Sequence, residues 1–103
     1  HAILDFPFDD KTPVFKVDKK MFALSSLEEE PLRLNLKCDP EDALFLRSQF
    51  PAVLPGYHMN KDHWNTVILD GSLPHDLIHK MIEDSFQLVV KSLSKKRQAE
   101  LGF

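Results

Sequence analysis

The sequence predicts an α+β domain built on a mainly antiparallel sheet with helices packed on one face. Three observations point there. Short strand-like runs recur: residues 14–17 alternate, 21–24 are an apolar run, and 33–37 set Leu34 and Leu36 on one face against Arg33, Asn35 and Lys37 on the other. Farther on, Leu77/Ile78, Met81/Ile82, Phe86, Val89/Val90 and Leu93 recur at helical spacing, which marks the longest element and the main cover of the sheet. Finally, 103 residues that are 43% hydrophobic and 28% charged have the size and composition of one globular domain, folding without disulfide or metal.

Taken in chain order, residues 1–13 carry Pro7, Pro13, Asp9 and Asp10, which favour an extended lead-in over regular structure. Residues 14–17 and 21–24 read as a β-hairpin around the polar turn Asp18-Lys19-Lys20. An acidic loop with Glu28, Glu29 and Glu30 then leads to a third, half-buried strand at 33–37. Asp39-Pro40-Glu41-Asp42 is a helix start: Asp39 accepts from free backbone N–H groups, Pro40 suits the first helical position, and the following acids favour the positive end of the dipole. That helix is expected to run to about Phe50, with a modest apolar stripe through Leu46 and Phe50, until Pro51 stops it. Residues 51–55 read as a rigid connector, and 56–59 with 64–69 as a second hairpin turning at 60–63. Asp70-Gly71-Ser72 breaks the chain, Pro74 suits the first turn of the long helix, and Ser94 caps a short basic helix over 95–101 that Gly102 ends.

Bulk properties narrow the function classes. No apolar run approaches the roughly 18 residues of a spanning helix, so a membrane partner is not expected. The single Cys38 forms no internal disulfide and no signal-peptide pattern opens the chain, which makes the cytoplasm the expected location. A net charge of −3 works against generic nucleic-acid binding, where Lys and Arg neutralise phosphate, so any DNA contact has to use a local patch.

The densest chemistry lies at Gly56-Tyr57-His58-Met59-Asn60-Lys61-Asp62-His63-Trp64-Asn65-Thr66-Val67-Ile68-Leu69-Asp70-Gly71, which crowds the only Trp, the only Tyr and two of five His around polar amides. This run, with Val14-Phe15-Lys16-Val17, Met21-Phe22-Ala23-Leu24 and Leu36-Lys37-Cys38-Asp39-Pro40-Glu41, resembles the pattern of the MmcQ/YjbR-like family over residues 5–97. The resemblance implies a double-wing fold, with wings at the 16–20 hairpin and the signature hairpin, and duplex DNA as the partner, with no established reaction. It also implies an additional N-terminal helix ahead of a chain that opens at His1 without an initiator Met.

For DNA, the candidate contacts are Lys16, Lys19 and Lys20 on the first wing, able to touch a phosphate backbone without reading sequence, and Asn60 and Lys61 on the second. Asn60 can pair bidentately with adenine and Lys61 can reach phosphate. The plainer account is that lysines solubilise a turn and guard an edge, while Asn60 satisfies turn backbone. Tyr57, His58, His63 and Trp64 are the candidate contacts of the rival reading, a protein-interaction or small-ligand module on the concave sheet face. Trp64 and His58 could equally anchor the hairpin. Lys95-Lys96-Arg97 is a further basic run, though a basic end is expected of a C-terminal helix.

Catalysis finds little support. His58, Asp62 and His63 could do acid–base work, but no nucleophile motif or paired carboxylates accompany them, and 3 Gly are too few for a phosphate-cradling loop. Cys38, at a helix start, is more commonly a buried apolar group than an activated thiol. His75 and His79, spaced i, i+4 with Glu83 a turn on, lack a fourth ligand and the inner Glu of the metalloprotease motif, and they lie on the polar face. No enzyme, cofactor or metal is therefore expected.

Overall fold

A computed structural model describes residues 2–57 and 59–103. Six strands form one antiparallel sheet in the order β1-β2-β3-β4-β6-β5: β1 Ile3–Asp5, β2 Val14–Val17, β3 Lys20–Ser25, β4 Arg33–Lys37, β5 Val53–Pro55 and β6 Trp64–Ile68. Helices α1 Pro40–Gln49, α2 His75–Ser92 and α3 Lys95–Glu100 complete the chain, so the α+β architecture is as expected. Leu36 pairs with Asn65 and Leu34 with Val67, which sets these four side chains on one face, and α1 and α2 both pack over it. Val17, Val67 and Val89 are wholly buried at the centre of this layer.

Several local devices were legible in the sequence. Asp39 Oδ1 accepts from the Glu41 N–H with Pro40 as the first helical residue, and Ser94 Oγ accepts from the Arg97 N–H. Gly102 takes the left-handed conformation (φ 88°) that closes α3. Pro74 stands at the cap of α2, one residue before its first turn.

Two expectations need correction. The lead-in contains a strand: β1 pairs antiparallel with β2, Leu4 opposite Phe15. Its backbone finds partners on an open sheet edge, something local composition does not reveal. The second hairpin is displaced: Trp64–Ile68 pairs with Val53–Pro55, inside the stretch read as a connector, while 56, 57 and 59 lie outside strands. Pro55 suggested a connector, yet an edge strand tolerates a residue without an N–H because one side of its ladder is unpaired. The modest stripe of α1 is as expected: Leu46 and Phe50 pack partly against the core beside the buried Ala43, and Leu44 and Phe45 are exposed.

The β2–β3 turn is tighter than a three-residue turn. Val17 pairs with Lys20, and only Asp18 and Lys19 turn the chain, both at positive φ (48° and 69°) as a type I′ hairpin requires. A bulge follows: Lys16 pairs with Met21 and Phe15 with Ala23, so Phe22 is the extra residue, and both Phe22 and Ala23 are buried. Phe22 meets Phe86 of α2 edge-on at 5.2 Å between ring centres. Between the layers, Ser85 Oγ donates to the Phe22 carbonyl (2.5 Å) and accepts from the Lys37 N–H (2.8 Å), tying α2 to β3 and β4 at once.

Candidate functional site

The sheet topology brings the candidate segments to one end of the molecule. β2 runs into the Asp18-Lys19 turn, β4 runs back to the same end and delivers Lys37, Cys38 and Asp39, and β6 starts there with Trp64 opposite Lys37. The β2–β3 turn and the 56–63 segment therefore stand side by side, about three strand spacings or roughly 14 Å apart. The C-terminus of α2 arrives at this end too, because Lys20 Nζ donates to Ser92 Oγ at 3.3 Å.

Arg97 of α3 closes the group. Its Nη2 and Nε donate to Asp18 Oδ1 at 2.7 and 3.0 Å, and its Nη1 to Glu100 at 3.0 Å. The hydrogen bond from Arg97 holds the Asp18 carboxyl below its ordinary range. Two basic stretches 70 residues and more apart in sequence thereby become one surface, with Lys19, Lys20, Lys91, Lys95, Lys96 and Arg97 all exposed. Residues 16–20 and 91–100 hold seven of the 13 Lys and Arg but two of the 16 Asp and Glu, a balance of +5 against −8 for the rest of the chain. Lys16 differs from its neighbours: it lies in β2, half-buried, and its ammonium meets Asp5 Oδ2 of β1 at 3.2 Å.

The second segment is organised mainly by its own side chains. Asn60 Oδ1 accepts from the Asp62 N–H (2.9 Å), as the turn reading expected, and Lys61 Nζ donates to the Gly56 carbonyl (2.8 Å). Arg47 of α1, which the sequence did not single out, donates through Nε to Asn65 Oδ1 (2.7 Å) and through its guanidinium to the carbonyls of Lys61 and Trp64. No spacing or motif marks an arginine at a helix end as the anchor of a loop 14 residues away. Gly56 is required by close approach: a Cβ there would lie 2.8 Å from that of Trp64.

Of the ligand candidates, Trp64 is half-buried and His63 is exposed with its backbone fixed, its N–H donating to Asn60 O (3.3 Å) and its carbonyl accepting from Cys38 N–H (2.7 Å). Tyr57 is exposed and its N–H donates to Thr66 Oγ1 (3.0 Å). His58 lies outside the described residues. A bay of about 470 Å³ opens beside the second segment, where it meets the end of β4, the start of α1 and α2, walled by Lys37, Asp39, Pro40, Asn60, His63, Trp64 and Leu88. It adjoins a cleft of about 500 Å³ between α1 and α2, floored by Leu36, Val67 and Met81. The site thus lies at the sheet's end and not on a concave sheet face.

Cys38 stands where bay and cleft meet. Burial, reinforced by Asp42, Asp39 and Asp84, pushes its thiol up to about 11, the reverse of what a nucleophile needs. His75, His79 and Glu83 lie exposed along α2, and among the described residues no three His, Cys, Asp or Glu side chains gather as a metal-holding group. Among the described residues no helix is long and apolar enough to cross a membrane.

An α+β domain whose antiparallel sheet presents two projecting segments and a basic C-terminal helix at one end defines the class of this protein. A family model described as YjbR matches residues 1–88, and the chain belongs to the YjbR family. It is 40% identical over 95 residues to the uncharacterised protein YbdF of Escherichia coli O157:H7, covering 92% of this chain and 78% of that one. Against the uncharacterised protein YjbR of Escherichia coli strain K12 the identity is 39% over 90 residues, covering 87% and 76%. The crystal structure of the Deinococcus radiodurans protein DR2400 superposes with a TM-score of 0.95 at 45% identity, over 100% of this chain and 79% of that one. A Pseudomonas syringae crystal structure gives a TM-score of 0.73 at 36% identity, over 84% and 86%.

Proposed function

We propose that this protein binds duplex DNA through the basic end formed by the β2–β3 turn, the last turn of α2 and α3, without catalysing a reaction. The observation that carries the reading is the segregation of charge: with the Lys16–Asp5 pair set aside, residues 17–20 and 91–100 carry +4 against −7 for the rest of the chain, and they share one surface, which supplies the local patch that a net charge of −3 otherwise denies. The two projecting segments act as wings. Lys19 and Lys20 on the first, with Lys91, Lys95 and Lys96 beside them, neutralise phosphates; the two-residue turn is short and pinned by Arg97, so it rests on the backbone and reads little sequence. The second wing, held rigid by Arg47 and Lys61, contributes the exposed amide of Asn60. Lys16, paired with Asp5, drops out of the contact set, and Lys61 acts first as a loop brace. The raised thiol of Cys38 supports the non-enzymatic part of the reading.

The test is a fluorescence-anisotropy titration of labelled duplex at two salt concentrations. Binding at micromolar protein is expected to weaken steeply with salt. Lys19→Glu with Lys20→Glu should weaken it uniformly across sequences and make the slope of log affinity against log salt shallower by about 2. Unchanged affinity in that double variant removes the β2–β3 turn from the interface.

A further inference from the structure

We infer that the bay beside the second wing receives a single unpaired nucleobase of a bound duplex, an inference that rests on the duplex-binding reading above. At about 470 Å³ the bay falls within the roughly 300–1,000 Å³ range of small-molecule sites. Its walls carry what a displaced base needs. The half-buried indole of Trp64, with Pro40 and Leu88 as further apolar wall, offers a stacking surface for an aromatic ring. Asn60 uses its Oδ1 on the Asp62 N–H, which leaves its NH2 as a donor, and the exposed imidazole of His63 adds a second polar group for a base edge. Lys37 lies at the same wall beside Asp39, whose carboxylate already accepts from the Glu41 N–H.

The bay is already shaped without a ligand. Arg47 grips the Lys61 and Trp64 carbonyls, Lys61 bonds the Gly56 carbonyl, and the His63 carbonyl is held by Cys38 N–H. Walls fixed in this way lower the ordering cost of binding. A paired base cannot enter, because it must first leave its stack, whereas an unpaired base pays least for that step.

The experiment compares three labelled duplexes at one low salt concentration: fully paired, carrying one bulged nucleotide, and carrying an abasic residue at the bulge. The bulged duplex is expected to bind about tenfold more tightly than the paired one, with the abasic bulge close to the paired duplex. His63→Ala should erase most of that preference while leaving affinity for the paired duplex within about twofold, and Asn60→Ala, which also removes a contact of the second wing, should erase it while weakening the paired duplex as well. His63 is a second route to the answer because only its backbone takes part in the loop's described bonds. Equal affinity for paired and bulged duplexes overturns the inference and leaves duplex binding standing, as does an abasic bulge bound as tightly as the intact one, which would show that flexibility and not the base is read. A preference that survives both substitutions overturns it as well. Failure to bind any of the three overturns the duplex-binding reading itself.

Discussion

At Cys38 two opposing residue-level effects compete, and magnitude decides between them. A helix start with free N–H groups lowers a thiol pKa, but burial and the carboxylates of Asp42, Asp39 and Asp84 raise it to about 11. At pH 8 the folded chain should therefore carry about 100-fold less thiolate than an unfolded one. Alkylation by iodoacetamide at pH 8 should be slower by a similar factor in the folded protein than in urea, and equal rates in both would contradict the assignment. Asp39 and Asp42 were readable beside Cys38 in the sequence, while the half-buried setting of the thiol and the carboxylate of Asp84 were not, since Asp84 comes from α2, far along the chain. The same distinction holds for the signature. Asn60 works within two residues, through a turn bond to the Asp62 N–H, and its role was legible. Arg47 works across the fold and left no local trace.

Among the elements, the β2–β3 hairpin and α3 depend on one another through the Asp18–Arg97 contact. Because the folded state depresses the Asp18 pKa, the stability this contact contributes is fully present above the unfolded carboxylate value of about 3.9, and it is lost as pH falls through the lower folded value. Asp18→Asn should thus lower the thermal midpoint at neutral pH, with the gap from wild type closing as pH drops below about 4. Thermal melts by circular dichroism between pH 7 and pH 3 check this, and a gap independent of pH would assign the loss to turn geometry instead. That second effect is a real competitor, since Asp18 sits at φ 48° in the turn. Elements with strong local signals came out where expected: the strand at Arg33–Lys37, α1 with its Asp39 cap, and the short helix after Ser94. β1 and β5 did not, because each is a three-residue edge strand defined by a neighbour's unpaired backbone and not by its own alternation.

For the whole molecule, the net charge of −3 and the local balance at the basic end lead to different expectations, and they can be separated. Lys95→Glu with Lys96→Glu and Lys11→Glu with Lys80→Glu change the net charge equally, but only the first pair lies at the basic end. If position governs, the first pair should weaken duplex binding at least tenfold at low salt and the second by no more than about threefold. Equal losses in an anisotropy titration would mean that the protein responds only to its total charge. From the sequence alone followed the fold class, the caps, the first hairpin and the absence of a spanning helix, all of which rest on period, turn chemistry and composition within a few residues. Only tertiary structure decided that residues 16–20 and 91–100 share one surface, that Lys16 is spent on Asp5, and that a bay opens where Asn60, His63 and Trp64 meet the end of β4 and α2. Strand order and the direction in which α2 crosses the sheet set these distances, and they follow from burying one continuous apolar layer, a property that no short window of sequence contains.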